Sequence, residues 1–160
     1  MPIRSLDELD CKILERLQVD GRMTNHDLSQ LIGLSPSPCL RRVRQLEEDA
    51  IIAGYVALVS PDAVGLNVSA FVRVRLSSQD DRNLAEFERA IVTFPEVMEC
   101  YLMTGESDYQ LRVLVESLAA FEDFLRHKLT RISPVAGVTS SFALRPVVYR
   151  TALPVRSNIL

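Results

Sequence analysis

GRMTNHDLSQLIGLSPSPCLRRVRQLEEDAIIAGY, residues 21–55, reads as helix, tight turn, helix. Thr24 followed three residues later by Asp27 is a capping-box start, and Leu28, Leu31 and Ile32 recur at helical spacing behind it. Gly33-Leu34 turns the chain. Ser35-Pro36 restarts a helix, with a hydroxyl at the N-cap and proline at the first helical position, where the missing N–H costs nothing. Pro38 also falls in the first turn, among donors without an intrahelical partner. The spacing predicts a helix-turn-helix over about 24–48.

On a 3.6-residue wheel Cys39, Val43, Leu46 and Ala50 fall on one side of the second helix, and Ser37, Arg41, Arg44 and Gln45 on the other. Between Gly33 and Leu46 stand three arginines and no acid. Such a basic, hydrogen-bonding face suits the major groove of double-stranded DNA, and the short helix and turn ahead of it separate it from a merely solvated helix. Candidate DNA contacts are Ser37, Arg41, Arg44 and Gln45, with Thr24 and Ser35 at helix N-termini that offer backbone N–H groups to phosphate. Arg42 lies on the flank, either as a phosphate contact or as an ion-pair partner of Glu47. Leu40, also on the flank, packs in the core or meets a thymine methyl.

The 160 residues suit one ordinary domain or two small ones, and a hydrophobic fraction of 48% supports packed cores. The net charge of −3 divides into −2 for residues 1–60 (7 basic, 9 acidic) and −1 for the remainder (11 basic, 12 acidic). Nucleic-acid binding must therefore come from a local patch and not from a global field. No signal-peptide core opens the chain and no uncharged run could span a bilayer, so a cytoplasmic protein without membrane partners is expected. Cys11, Cys39 and Cys100 are far apart, each within an apolar segment, and read as small core residues. With His26 and His127 as the two histidines, neither a metal site nor a nucleophile–base pair has the residues it needs, so no enzyme, metal or cofactor is expected.

A first helix carries Leu6, Leu9, Ile13 and Leu17 on one face, with Asp7, Glu8 and Asp10 in its opening turn. Ile51 to Val59, around Gly54, reads as one or two short strands, a possible wing, before a linker at 61–66. From Leu66 the period becomes two: Val68, Ala70, Val72, Val74 and Leu76 alternate with Ser69, Phe71, Arg73 and Arg75. A helix marked by Leu84, Phe87, Ile91 and Phe94 stops at Pro95. Strands at Val97–Thr104 and Tyr109–Glu116 face each other across Gly105 to Asp108. Ser117 caps a helix with Leu118, Phe121, Leu125 and Leu129 inside, and Val138–Leu144 is the last strand.

The order is βαββαβ, the ferredoxin-like arrangement, so the expected class is α+β: residues 1–60 a (winged) helix-turn-helix domain, 67–160 a ferredoxin-like domain with a C-terminal tail. Helices on one face of the sheet leave Phe71, Arg73 and Arg75 on the other, a self-association surface. The tail, with Val147, Val148, Tyr149 and Leu153, is expected to pack on a neighbour before fraying.

LDELDCKILERLQVDGR, LSPSPCLRRVRQLE and IIAGYVALVSP in the first half, with PEVMECYLMTGESDYQLRV and SSFALRPVVYRTALP in the second, make the whole chain resemble the leucine-responsive and asparagine-regulator family of prokaryotic transcription factors. The resemblance implies a helix-turn-helix followed by an amino-acid-sensing ferredoxin-like domain, and homodimers that assemble into octamers. Two departures stand out: Ala50 where the family usually has Gly, and Ser133-Pro134 where many relatives carry Pro-Gly.

In that family the effector site lies between subunits. The matching loop here is Thr104-Gly105-Glu106-Ser107-Asp108-Tyr109, joined by a polar residue of the fourth strand, Ser140, with Thr139 and Ser141 as register alternatives. A free amino acid needs donors for its carboxylate and an acceptor for its ammonium group. Gly105 permits a turn whose N–H groups face an anion, and Asp108 can be the acceptor, unless both merely make the hairpin turn. Leu102 and Met103 shape a side-chain pocket or belong to the core. The function so implied is sequence-specific transcriptional regulation responsive to a free amino acid, over genes of amino-acid metabolism or transport. The alternative is an architectural or oligomeric DNA-binding protein of the same fold without effector response.

Overall fold

The computed structural model describes residues 5–157, so the outermost ends of both expected domains, residues 1–4 and 158–160, lie outside the described residues. Two compact units emerge, Met1–Leu58 with Val148–Leu160, and Val59–Val147. The tail from Val148 on thus clusters with the helical unit, whereas the sequence reading grouped the whole tail with the sheet.

The helical unit contains α1 (Glu8–Val19), α2 (Asn25–Ile32) and α3 (Pro36–Glu48). Its core joins Ile13 and Leu14 of α1, Leu28 and Ile32 of α2, and Cys39 and Leu46 of α3. Reciprocal capping occurs at α1, where Asp10 N–H donates to Asp7 at 2.8 Å and the Asp10 side chain accepts from Asp7 N–H. At α2 the Thr24 hydroxyl oxygen accepts from Asp27 N–H at 3.2 Å while its O–H donates to the Asp27 carboxylate. Ser35 holds the N-cap position of α3 without a side-chain cap bond.

Gly33, at φ 72°, ends α2, and α3 runs out through Ala50 at φ 55°. The left-handed region disfavours side chains with a Cβ, so the Gly-to-Ala departure retains the family's sharp exit at the expense of local strain. No strand forms over 51–60, so the expected wing is absent. Tyr55 instead folds back, donating its hydroxyl to Glu47 at 3.0 Å, with its ring over Gly21, where a Cβ would come within 3.3 Å. A segment anchored by one aromatic has no neighbouring strand to pair with. In the tail, Gln18 and the backbone of Leu153 exchange two hydrogen bonds, of 3.1 and 2.6 Å, and Val155 packs on the helical core.

The sheet unit follows a short 3-10 turn at Asp62–Val64. It contains β1 (Val68–Leu76), α4 (Asp81–Ile91), β2 (Val97–Leu102), β3 (Tyr109–Val115), α5 (Leu118–Asp123) and β4 (Val135–Phe142), in antiparallel order β2-β3-β1-β4. This is the βαββαβ topology expected. Ala70, Val72, Val74 and Leu76 are buried with Phe87, Ile91, Leu111, Val113, Phe121, Phe124 and Leu129 beneath the helices.

Several bounds differ from expectation: β2 ends at Leu102 and β4 at Phe142, each two residues short of the sequence reading. β4 begins three residues earlier, because Val135 pairs with Leu76 across a register shift at Arg75/Leu76. After α5 the helix widens into a π turn at Phe124–Lys128 and closes with a 3-10 turn at Leu129–Arg131. Phe121, Phe124 and Leu129 are buried along this segment, Leu125 is half-buried, and Leu118, at the first turn of α5, is exposed and not inside as expected.

Candidate nucleic-acid and effector sites

α3 presents two chemically distinct sides. Cys39 and Leu46 are fully buried, while Ser37, Arg41, Arg44 and Gln45 are exposed. With Leu40 and Glu48 these four line a shallow depression of about 260 Å³ on the outer face. Arg41 and Arg44 stand one turn apart there, the basic and bidentate-donating pair that the sequence predicts. Gln45 donates its amide to Asp49 at 3.0 Å, which holds it along the helix. Asn25, at the start of α2, donates to the Pro36 carbonyl at 2.9 Å and so fixes α2 against the first turn of α3.

Arg42 does something else. Its guanidinium reaches Asp7 at 2.7 Å and Asp10 at 2.8 Å, both on or beside the first turn of α1. Its ion-pair partners are therefore these two acids and not Glu47, which accepts from Tyr55 instead; Asp10 is 1% exposed inside the unit. Burial works against the charge on Asp7, but the Asp10 N–H and the Arg42 guanidinium prevail and hold its carboxyl below the ordinary 3.8. The hydrogen bond to Asp7 in turn raises Arg42. Sequence reasoning missed Asp10 because acids in a first turn already have a dipole explanation. Leu40, expected first of all in the core, is 37% exposed on the outer face.

The effector loop is differently arranged from the sequence picture. Thr104, Gly105 and Glu106 are exposed, and Gly105 takes φ 122°, a conformation that requires glycine. Asp108, however, is only 5% exposed. Its Oδ2 accepts Leu76 N–H at 2.6 Å, its Oδ1 accepts the Gln79 amide at 2.6 Å, and its own N–H donates to the Val74 carbonyl at 2.9 Å. The carboxylate therefore clamps the hairpin to the end of β1 instead of waiting for an ammonium group.

Tyr109 is likewise a core residue, 1% exposed, stacked 4.4 Å from Phe87 and donating to Glu88 at 2.8 Å. Burial, reinforced by the Glu88 carboxylate, raises its phenol. Leu102 and Met103 are 62% and 44% exposed, at the end of the edge strand β2, so neither is core.

Ser140 sits opposite Val72 on β1, which places it toward the helix-covered face; Thr139 and Ser141 lie opposite Arg73 and Phe71 on the open face. β4 is one edge of the sheet and β2 the other. Ser140 is also four residues along β1 from the level of Leu76, roughly 13 Å. The loop and Ser140 of one chain do not share a site.

Residues 6–47 match the AsnC-type helix-turn-helix domain and residues 69–153 the Lrp/AsnC ligand binding domain. The chain belongs to the Lrp/AsnC family. It is 49% identical over 149 residues to the Bkd operon transcriptional regulator of Pseudomonas aeruginosa, covering 93% of this chain and 97% of that one. Identity to the leucine-responsive regulatory protein of Rhizobium meliloti is 44% over 142 residues, covering 89% and 91%. Among solved structures, a transcriptional regulator of Neisseria meningitidis in complex with L-Met superposes with a TM-score of 0.90 at 41% identity, covering 94% and 97% of the two chains. These relatives are transcriptional regulators, not enzymes. Within this Lrp/AsnC chain no helix among the described residues is long and apolar enough to cross a membrane.

Proposed function

We propose that this Lrp/AsnC-family regulator binds operator DNA through the outer face of α3 and responds to a free amino acid held at the β2–β3 hairpin. The observation that carries the DNA half is the division of labour along α3: Arg42 is consumed by Asp7 and Asp10, while Arg41 and Arg44, one turn apart, remain exposed around the depression. Gln45 and Ser37 flank them, and the N-termini of α2 and α3, at Thr24 and Ser35, meet phosphate.

The effector half is supported by the solved L-Met complex of the Neisseria relative. With Asp108 committed to the hairpin, the polar anchors fall to the exposed turn Thr104, Gly105 and Glu106, and Leu102 and Met103 supply apolar walls. Since β2 and β4 are opposite edges, a residue of β4, whether Thr139, Ser140 or Ser141, enters such a site from a second copy of the chain. Assembly as dimers and octamers, in the cytoplasm, with genes of amino-acid metabolism or transport as targets, completes the reading.

The commitment of Asp108 is also the one observation that favours the alternative, a DNA-binding protein of this fold with no effector response. Fluorescence anisotropy on the protein's own promoter, repeated across the free amino acids, separates the two. A shift in affinity or assembly with one amino acid supports regulation by effector. Binding that ignores every amino acid leaves the architectural reading, and no binding refutes both.

A further inference from the structure

Leu40 is the apolar member of an otherwise polar surface. The other residues lining the α3 depression are Ser37, Arg41, Arg44, Gln45 and Glu48, and Leu40 lies among them at 37% exposure, not in the core beneath. It is the fifth residue of Pro36–Glu48, in the N-terminal half of the helix, where a major-groove helix brings its side chains to base edges. Leucine has no donor or acceptor, so it cannot read a base by hydrogen bonding. The major groove offers it one distinctive apolar group, the C5-methyl of thymine.

Resting on the DNA reading above, we infer that Leu40 is a specificity-determining residue that selects a thymine in each half-site through its methyl group. The arginines fix where that thymine lies. Arg44 is one helical turn on from Leu40, roughly 6 Å along the axis, against a base-pair rise of about 3.4 Å. An arginine in a major groove pairs best with the O6 and N7 of guanine. The half-site therefore holds a thymine within about two base pairs of a guanine. Glu48, at the far end of the depression, disfavours phosphate there and leaves the N-terminal end as the reading end.

The test isolates the methyl. Duplexes enriched from a random pool by the full-length protein are resynthesised with each thymine replaced in turn by deoxyuridine, which differs by that methyl alone. Wild type should lose affinity about fourfold per half-site at one thymine position, close to the value of one buried carbon group, and about fifteenfold when both half-sites are changed. Leu40→Ala should bind the thymine and deoxyuridine duplexes equally, and Leu40→Met, which keeps an apolar tip, should retain the preference. Alanine favours the helix and replaces an exposed side chain, so folding is preserved, and circular dichroism checks it. If no thymine is sensitive, or if Leu40→Ala keeps the full wild-type sensitivity, the inference is overturned while DNA binding stands. If no duplex is enriched at all, the DNA reading falls and this inference falls with it.

Discussion

The carboxylate of Asp108 accepts the backbone N–H of Leu76 at 2.6 Å, across 32 positions of sequence. A polar turn residue thereby becomes the pin that ties the β2–β3 hairpin to the end of β1. Asp108→Asn should destabilise the fold by about 1–3 kcal/mol, because the amide accepts at one atom only and its NH₂ opposes the Gln79 amide. Urea unfolding measures this. An unchanged midpoint, with effector affinity lost instead, would restore Asp108 as a ligand contact.

Three neighbouring arginines should behave in two ways. Arg42→Ala removes two charge-assisted bonds from the first turn of α1, and should lower the stability of the helical unit by about 1.5–3 kcal/mol. Arg41→Ala and Arg44→Ala should leave stability within about 0.5 kcal/mol but weaken operator binding by about 1–3 kcal/mol. Chemical denaturation and anisotropy titration, run on all three, test the contrast. The same phenotype for Arg42 and Arg41 would contradict it.

Ala50, at φ 55°, occupies backbone space that glycine enters freely. Ala50→Gly should stabilise by about 0.5–1 kcal/mol, since the left-handed penalty of about 1–2 kcal/mol exceeds what glycine's added freedom in the unfolded chain gives back. Thermal melts of the two proteins show whether the midpoint rises. A lower midpoint would mean that the exit of α3 is unstrained.

Asp7 gives the helical unit an acid limit. Its carboxyl is held below the ordinary 3.8, so the stability it contributes is complete above that pH and disappears as the pH falls through the depressed folded value. Asp7→Asn should therefore flatten the fall in stability on the acid side of pH 4 while leaving slopes near neutrality unchanged. Denaturant midpoints measured from pH 7 down to about pH 3 give the comparison.

The alternation that begins at Leu66 and runs to Leu76 predicts β1 to within two residues at its start, and the wheel of α3 separates Cys39 and Leu46 from Arg41 and Arg44 as the structure does. Both are local periodicities, visible in any window that contains them. What escaped was non-local. Nothing near Arg42 in sequence reveals that Asp10, 32 residues upstream, is its buried partner, and nothing in the hairpin motif reveals that Leu76 lies within reach of Asp108. The apolar run from Ile51 to Val59 has strand composition, but pairing requires a neighbour, and the helical unit supplies Gly21 and Glu47 as an aromatic anchor instead.

The tail bond between Gln18 and Leu153 also makes the sheet unit an insertion: the chain leaves the helical unit after Leu58 and returns to it at Val148. A single protease cut in the segment around Asp62–Val64 severs one crossing and leaves the other. Cleavage there leaves the N-terminal fragment tied to the rest of the chain by the returning tail, through the Gln18–Leu153 pair and Val155, and no longer by a peptide bond.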